Sequence, residues 1–353
     1  MSTGTGPATS FSTTPAKPEE NLEPLSPRQA AAELRGQAGA AEASVQRKIA
    51  VLIENIEQAI VGKRESVKLV LVGLIARGHV LIEDVPGVGK TTLARALAKS
   101  IACEFRRIQF TPDLLPSDVV GVSVYDQKES RFEFHKGPLF AHVILADEIN
   151  RTAPRTQSAL LEAMNDYQVS VDGVSHQLPS PFIVLATENP IEYAGTYPLP
   201  EAQLDRFLLR VSLGYPDRNS ELEMLKGHKL GHPLDHLHPV ITSDEVAELQ
   251  ELVRAVTVHD DLFRYIIEIA NKTRSHKGLA LGVSSRGCKH LAVAAQACAV
   301  LDGRKYLIAD DIKKMVLPVL AHRIIEKNRD TGGARKDAES ILLEILDEVS
   351  VPV

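Results

Sequence analysis

The sequence lacks a long hydrophobic segment. None of its apolar runs approaches the roughly 18 residues that a helix needs to cross a bilayer. The N-terminus has no charged region followed by an apolar core, so we expect neither membrane insertion nor a signal peptide. Cysteine is scarce: Cys103, Cys288 and Cys298 are odd in number and form no CxxC pair. They indicate reduced thiols in a reducing compartment, which favours the cytoplasm.

Positive charge is also not in excess. Forty Lys and Arg residues face 46 Asp and Glu, and the resulting net charge of −6 argues against a general nucleic-acid binder. Internal repeats are absent as well. What is present is ordinary for a globular protein: 353 residues, of which 44% are hydrophobic. This length favours about two domains.

The chain falls into stretches of different character. Residues 1–27 are rich in Ser, Thr, Pro and Gly and cannot bury enough apolar surface to offset their ordering entropy, so we predict disorder there. Helical periodicity is faint near Arg28 and firm from Val45, which sets a weakly helical tail at 1–44. Strands and helices then alternate to about Gly214, which predicts a parallel sheet covered on both faces, in a core at 45–215.

Two hairpins are predicted within this core, over 122–134 and 167–178. The second contains Asp172-Gly173 between alternating segments, which is a strong hairpin signal. Beyond Pro216 the strand patterns stop, which predicts a second, all-helical domain over 216–353. Its helices are predicted at 219–230, 243–255, 260–275, 285–301, 309–328 and 337–349.

A glycine-containing loop between a strand and a helix is the most informative segment. The apolar run Val80-Leu81-Ile82 predicts the strand, and the helix begins near Lys90. Gly87 and Gly89 allow backbone N–H groups to surround phosphate oxygens, while Lys90 and Thr91 can reach the phosphates and Mg²⁺. The full phosphate-loop pattern has glycine where this chain has Asp84. A chance glycine turn is the alternative for this segment alone.

Two carboxylates end a second apolar run. Val143-Ile144-Leu145-Ala146 predicts a buried strand, and Asp147 and Glu148 follow it. In phosphate-loop ATPases the first acid holds Mg²⁺ and the second polarises the attacking water, because Mg²⁺ prefers oxygen ligands and a base must accept a proton. Read alone, the pattern also fits a strand that meets solvent. Its position after Lys90 favours the catalytic interpretation.

Five ordered stretches match one known family: Gly78–Thr91, Asp147–Pro154, Thr156–Met164, Ala186–Pro190 and Gly195–Phe207. Through them the chain resembles the MoxR family of AAA+ ATPases, in the helix-2-insert branch, over about residues 45 to 327. The resemblance implies an α/β fold: an AAA+ P-loop αβα domain with a parallel sheet, followed by an all-helical lid domain. It also implies that the two hairpins face the pore of a ring and push on a partner.

The resemblance implies catalytic roles beyond the two motifs. Asn189, just past the predicted strand at 182–187, would hold the lytic water opposite Glu148, although a turn former before Pro190 is the alternative. Arg206 would be the arginine finger that acts on the neighbouring subunit's site, and a surface Arg–Asp pair is the alternative.

Further site residues follow from the same resemblance. Arg286 would be the lid arginine that contacts the γ-phosphate, with a solvated arginine at a helix start as the alternative. The family commonly has Gln at the position of Glu188, and Ile60-Val61-Gly62 lies where it places the adenine pocket. The implied ATP-binding set is Val61, Gly62, Val85, Pro86, Gly87, Val88, Gly89, Lys90, Thr91 and Thr92, with Thr91 and Asp147 holding Mg²⁺.

The implied activity is Mg²⁺-dependent hydrolysis of ATP by a homo-oligomeric ring, expected to be a hexamer. Its implied task is chaperone-like remodelling or maturation of a partner protein, often one with a von Willebrand factor A domain. Two alternatives are a chelatase-type motor subunit for metal insertion and a nucleotide-gated binding module with negligible turnover. A DNA motor is disfavoured by the negative charge.

Four histidines that are close together in the sequence raise the alternative of a metal site. His228, His232 and His236 have the spacing of one helix face, and His238 is close by. Gly231 and Pro233 would break a helix there, and we therefore predict no metal site.

Overall fold

The computed structural model describes residues 44–190, 195–227, 233–327 and 334–352. Nearly all of the predicted N-terminal tail lies outside these residues, as do His228 and His232 and the last turn of the helix predicted at 219–230. The first described element is helix α1, at 44–57. Its apolar face is buried, through Ile49, Leu52, Ile53 and Ile56.

A five-stranded sheet lies at the centre of the predicted core region at 45–215. Its strands are β1 (Val80–Glu83), β2 (Phe105–Gln109), β5 (Val143–Asp147), β8 (Ile183–Glu188) and β9 (Leu209–Val211). They are ordered β2-β5-β8-β1-β9, and every neighbouring pair is parallel. Gln109 therefore lies opposite Asp147, and Glu83 opposite Glu188, along the edge where the strands end. The predicted parallel sheet is confirmed.

Both faces of this sheet are covered, as its sequence predicts. Alternate residues of β5 point to opposite sides, so Leu145 belongs to one buried apolar cluster and Ile144 to the other. Two-sided burial explains why β5 and β8 are continuous apolar runs. The accompanying helices are α2 (Arg64–Ile75), α3 (Lys90–Ser100), α4 (Pro116–Val120), α5 (Pro154–Asp166) and α6 (Glu201–Leu204).

Both predicted hairpins are confirmed. The first pairs β3 (Gly121–Asp126) with β4 (Arg131–Lys136), and the second pairs β6 (Gln168–Val171) with β7 (Val174–Gln177). In the second, Asp172 and Gly173 both have positive φ, as the turn signal requires. Each hairpin is a separate two-stranded sheet, so neither extends the central one.

The C-terminal region, called the lid below, is mostly helical. Thr242 begins one of its helices with a capping box, in which its hydroxyl accepts from the Glu245 amide and the Glu245 carboxylate accepts from the Thr242 amide. The lid helices are α7 (Arg218–Gly227), α8 (Ser243–Arg254), α9 (Asp260–Ser275), α10 (Ser285–Leu301), α11 (Ala309–Leu320) and α12 (Ala334–Glu348).

Two details of the lid prediction were wrong. Strands do recur beyond Pro216: β10 (Leu279–Leu281) pairs antiparallel with β11 (Ile325–Glu326). The helix predicted at 309–328 ends at Leu320. Segments of two or three residues carry no readable period, and the chain after Leu320 is held by tertiary contacts, with the buried Arg323 donating to Asp205 at 2.9 Å.

Candidate functional site

The phosphate-loop residues lie between β1 and α3. Gly89 caps α3 with a left-handed backbone (φ 96°), and Gly87 also has positive φ. A Cβ at Gly87 would meet nothing within 4 Å, so the loop is open at this point. Free N–H groups at the start of α3 and the open loop suit an anion. The predicted set is contiguous here, at Val85, Pro86, Gly87, Val88, Gly89, Lys90, Thr91 and Thr92.

Lys90 lies among carboxylates. Its ammonium donates to the backbone carbonyl of Asp84 at 2.8 Å. Burial lowers the pKa of Lys90, and attraction from the Asp147, Asp84 and Glu148 carboxylates partly offsets that effect. The fold therefore brings the predicted phosphate-binding lysine together with both acids that end β5.

Asp84 has a role that the sequence did not reveal. Its side chain is buried, and one carboxylate oxygen accepts from the backbone amides of Leu213 and of Gly214, the latter at 3.0 Å. The Ser212 hydroxyl donates to the same oxygen at 3.2 Å. The residue that departs from the glycine pattern thus joins the phosphate loop to the segment after β9.

Asp147 is held by two side chains that the motif did not name. Its Oδ1 accepts from the Thr187 hydroxyl at 2.6 Å, and its Oδ2 accepts from the Arg107 guanidinium at 2.6 and 3.0 Å. Arg107 is part of β2, and Thr187 is part of β8, the strands on either side of β5. The carboxylate predicted to bind Mg²⁺ is therefore fixed in position by both neighbouring strands.

Glu148 turns away from the direction of its strand. Its φ is +56°, a left-handed conformation that costs a residue with a Cβ about 1 kcal/mol. The Thr187 hydroxyl accepts from the Glu148 amide at 2.9 Å, which stabilises this turn. The carboxylate accepts from Gln109 at 2.7 Å and from Arg151 at 3.2 Å. Thr187 thus contacts both acids.

Asn189 follows β8, the strand that pairs with β5. Asn189 and Glu188 are both buried. Burial raises the pKa of the Glu188 carboxyl from 4.5 to about 7. Asn189 directly follows β8, the strand whose Thr187 positions Asp147, and an ionised Glu188 would be costly in the interior.

Arg206 makes a different contact from either interpretation of the sequence. It is partly buried and donates to the Leu161 carbonyl in α5 at 2.8 Å. Its neighbour Asp205 pairs with Arg323 instead, at 2.9 Å. The alternative of a surface pair between Arg206 and Asp205 is therefore wrong.

Arg286 is in the first turn of α10, as predicted. Ser284 caps that helix by accepting from the Gly287 amide at 3.0 Å. The Arg286 side chain is exposed and makes no hydrogen bond or ion pair with another residue of the described ranges. Its charge is felt by His290, whose pKa falls to about 3, mainly through burial. The structure does not bring Arg286 into contact with the phosphate loop.

The predicted adenine-pocket segment borders both the loop and the lid. A Cβ at Gly89 would lie 3.3 Å from the Ile60 side chain, and one at Gly62 would lie 2.3 Å from the Ser220 hydroxyl in α7. Gly62 has φ +74°. Residues 60–62 therefore lie between the phosphate loop and the start of α7.

The clustered histidines lie only partly within the described residues, and another group of possible metal ligands lies elsewhere. His236 lies in a short 3-10 helix and His238 just after it, whereas the other two clustered histidines are outside the described residues. Cys298, Asp302 and Asp311 come close together. Arg304 already binds both oxygens of Asp311 at 2.6 Å, so that group is an ion-pair network.

Sequence reasoning missed Arg107, Gln109, Thr187 and Arg323. A signal existed for the first two, because Arg107 and Gln109 alternate along one strand and so share a face at its end.

In the part of the chain that the structure describes, helices long and apolar enough to cross a membrane are absent.

Comparison with known proteins completes the description. The profile of the ATPase family associated with various cellular activities (AAA) matches residues 79–209, and that of the AAA lid domain matches 271–345. The chain is 38% identical to Chaperone MoxR1 of Mycobacterium tuberculosis, over 85% of this chain and 81% of that protein. It is 52% identical to YeaC of Bacillus subtilis, a protein of uncharacterised function, over 85% of this chain and 94% of YeaC. A crystal structure of a candidate ATPase from Cytophaga hutchinsonii is similar at a TM-score of 0.81, with 37% identity, covering 91% of this chain and 99% of that one.

Proposed function

The chain belongs to the MoxR family of AAA ATPases, and on that premise we propose that it hydrolyses ATP with Mg²⁺ as a homo-oligomeric ring that remodels partner proteins. The observation that carries the proposal is the position of Lys90, at the start of α3 and near enough to Asp147 and Glu148 for both carboxylates to attract its charge. A phosphate-binding cation, a metal-binding carboxylate and a base are the groups that phosphoryl transfer to water needs.

The residues present fit a Mg²⁺-nucleotide. Gly87 and Gly89 leave an open cradle at the start of α3, and Thr91 and Asp147 offer the oxygen ligands that Mg²⁺ prefers. Lys90 would bind the β- and γ-phosphates, and Thr91 with Asp147 would hold the metal. Bound Mg²⁺ would supply charge neutralisation on the phosphates. Val61 and Gly62 would line the adenine pocket.

Glu148 and Asn189 would act on the attacking water. The Glu148 carboxylate would accept its proton, and the Asn189 amide would orient it. The hydrogen bond from the Glu148 amide to Thr187 fixes the backbone from which this carboxylate projects. Gln109 and Arg151 donate to that carboxylate, so it would exchange these partners for water in order to act as the base.

In the proposed ring, Arg206 acts on the site of a neighbouring subunit, and Arg286 acts on the γ-phosphate from the lid. Arg206 donates to a carbonyl of its own chain, and Arg286 is exposed. Neither contacts the phosphate loop of its own chain, which supports a site that is completed by a second subunit and by lid movement. We expect a hexamer.

We assign the partner contact to the hairpin of β3 and β4. Its predicted tip, 127–130, is polar, but exposed aromatic residues lie immediately beside it: Phe132 is 72% exposed, and its ring packs edge-on against Tyr125 with centroids 5.2 Å apart. Exposed aromatic pairs on a rigid support are typical of binding surfaces. A client with a von Willebrand factor A domain is the partner that we propose.

Lys90→Ala tests the ATPase proposal. The purified chain should bind ATP and release phosphate in a Mg²⁺-dependent manner, and the substitution should abolish binding because a half-buried cation is lost from the phosphate site. A parent protein that binds ATP without turnover would instead favour the nucleotide-gated module. Absence of both binding and turnover in the parent would refute the proposal.

The partner assignment has its own test. Replacing 126–131 by a two-residue Asn-Gly turn should preserve basal ATPase activity and assembly, and should weaken capture of a purified von Willebrand factor A domain. Loss of the ring together with full retention of partner affinity would show that the hairpin serves assembly.

A further inference from the structure

The carboxylate of Asp84 lies at a junction between three parts of the molecule. It follows β1 directly, it opens the phosphate loop, and its side chain is only 6% exposed. One of its oxygens receives three donors, the amides of Leu213 and Gly214 and the Ser212 hydroxyl. A buried carboxylate held by successive amides is a strong, directional contact, since charge-assisted hydrogen bonds are roughly twice as strong as neutral ones.

The donors belong to the connection between the core and the lid. Residues 212–214 follow β9, and α7 begins four residues later at Arg218. Gly214 has φ +61°, so its amide turns toward Asp84 in a conformation that glycine adopts readily. The same connection continues to Ser220, which packs against Gly62 of the adenine-pocket segment. Asp84 thus fixes residues 212–214, which begin the segment that connects the core to the lid.

The backbone of Asp84 contacts the lysine of the phosphate site. The backbone carbonyl of Asp84 accepts from the Lys90 ammonium at 2.8 Å, and the Asp84 carboxylate also contributes to the charge that Lys90 experiences. A phosphate that enters the loop competes for that ammonium. Occupancy of the loop therefore changes the contacts of Asp84, whose side chain holds 212–214.

We propose that Asp84 is a positioning residue that couples occupancy of the phosphate loop to the position of the lid. The inference rests on the proposed nucleotide site and adds a residue to it. A glycine at this position would complete the usual phosphate loop but would leave the amides of Leu213 and Gly214 without their acceptor. In this chain, the departure from the loop pattern is the coupling element.

Hydrogen exchange on the full chain tests the coupling, with MgADP as the probe. In the parent, MgADP should protect the loop peptide 84–92 and also change exchange in the lid peptide 218–227. In Asp84→Ala, the amides of Leu213 and Gly214 should exchange roughly tenfold faster or more, because each loses a charged acceptor. Protection of 84–92 should persist while the response at 218–227 disappears.

Two conservative variants keep the test decisive if Asp84→Ala does not fold. Asp84→Asn keeps an acceptor oxygen without the charge and should reduce the lid response partially. Ser212→Ala removes one contact of 3.2 Å and should leave the response within about twofold of the parent, since both backbone donors remain. A full lid response in Asp84→Ala, or in Asp84→Asn where Asp84→Ala is unfolded, would overturn the coupling alone. Failure of MgADP to protect 84–92 in the parent would overturn the nucleotide site, and the coupling with it.

Discussion

Two regions of the proposed site differ in how far a single chain completes them. The phosphate loop and the acids at the end of β5 are held together within one chain, whereas Arg206 and Arg286 are not. Asp147 and Glu148 are held by hydrogen bonds from Arg107, Thr187, Gln109 and Arg151. Arg206 donates to a backbone carbonyl of its own chain, and Arg286 extends into solvent.

The first region contains the groups expected to bind the substrate in its ground state, and the two arginines are the groups expected to act in the transition state. Residues that would hold nucleotide and metal are fixed by the fold, so binding requires little rearrangement. The arginines are assigned to charge that develops during phosphoryl transfer; in a single chain Arg206 donates to the Leu161 carbonyl and Arg286 is exposed. The comparison predicts that one chain binds nucleotide without help but hydrolyses it poorly.

The largest effect should come from Arg206→Ala. ATP affinity should change little, and turnover should fall about 10³-fold, as for the loss of an arginine finger. Phosphate release and nucleotide titration measure the two quantities. Arg264→Ala, which alters an exposed lid arginine, is the matched control and should leave both unchanged.

A mixing experiment places Arg206 in trans or in cis. Combining Arg206→Ala with Glu148→Gln subunits should restore some activity, because a fraction of interfaces then contains one intact copy of each residue. Turnover that is independent of dilution, with mixtures no more active than either variant, would rule out the shared site.

The next effect in size concerns the half of the site that one chain builds. Glu148→Gln should retain ATP binding and reduce turnover at least about 100-fold, because the amide cannot accept the proton of the attacking water. The contacts from Gln109 and Arg151 allow the neutral side chain to be accommodated without unfolding. Near-normal turnover would show that another group is the base.

Thr187→Val should have a more moderate effect. Valine keeps the shape but loses the hydroxyl that donates to Asp147 and accepts from the Glu148 amide. We expect roughly a tenfold loss of kcat, since two hydrogen bonds, each with a net value of about 1 kcal/mol, are removed from the groups that position water and metal. Thr187→Ser retains the hydroxyl and should recover most of the activity. Equal losses in both variants would mean that packing, not the hydroxyl, matters at this position.

Sequence patterns predicted the elements that periodicity and turn chemistry determine locally. The loop at 84–89, the strand ending in Asp147 and the turn at Asp172-Gly173 were all predicted and observed. The patterns did not reveal Thr187 as the link between the two acids, or Arg323 as the partner of Asp205, because both contacts join residues distant in sequence. The ribbon of β10 and β11 was missed because two-residue and three-residue strands carry no period.

Glu188 affects stability and not turnover, and it gives the clearest contrast with the supported acids of β5. Its carboxyl is buried, and burial alone raises its pKa from 4.5 to about 7. Because the folded pKa is raised, the penalty is absent below the unfolded value of 4.5 and grows as the pH rises toward 7. Glu188→Gln removes the charge and should stabilise the chain at pH 8 by at most about 3 kcal/mol. The gain should shrink as the pH is lowered toward 5.

Urea unfolding at both pH values measures the difference, with Glu133→Gln, an exposed hairpin acid, as the control that should show no such trend. A gain that is equal at both pH values would show that the ionisation of Glu188 is not its cause. A loss of stability at pH 8 would mean that the Glu188 carboxylate is stabilised in the folded chain.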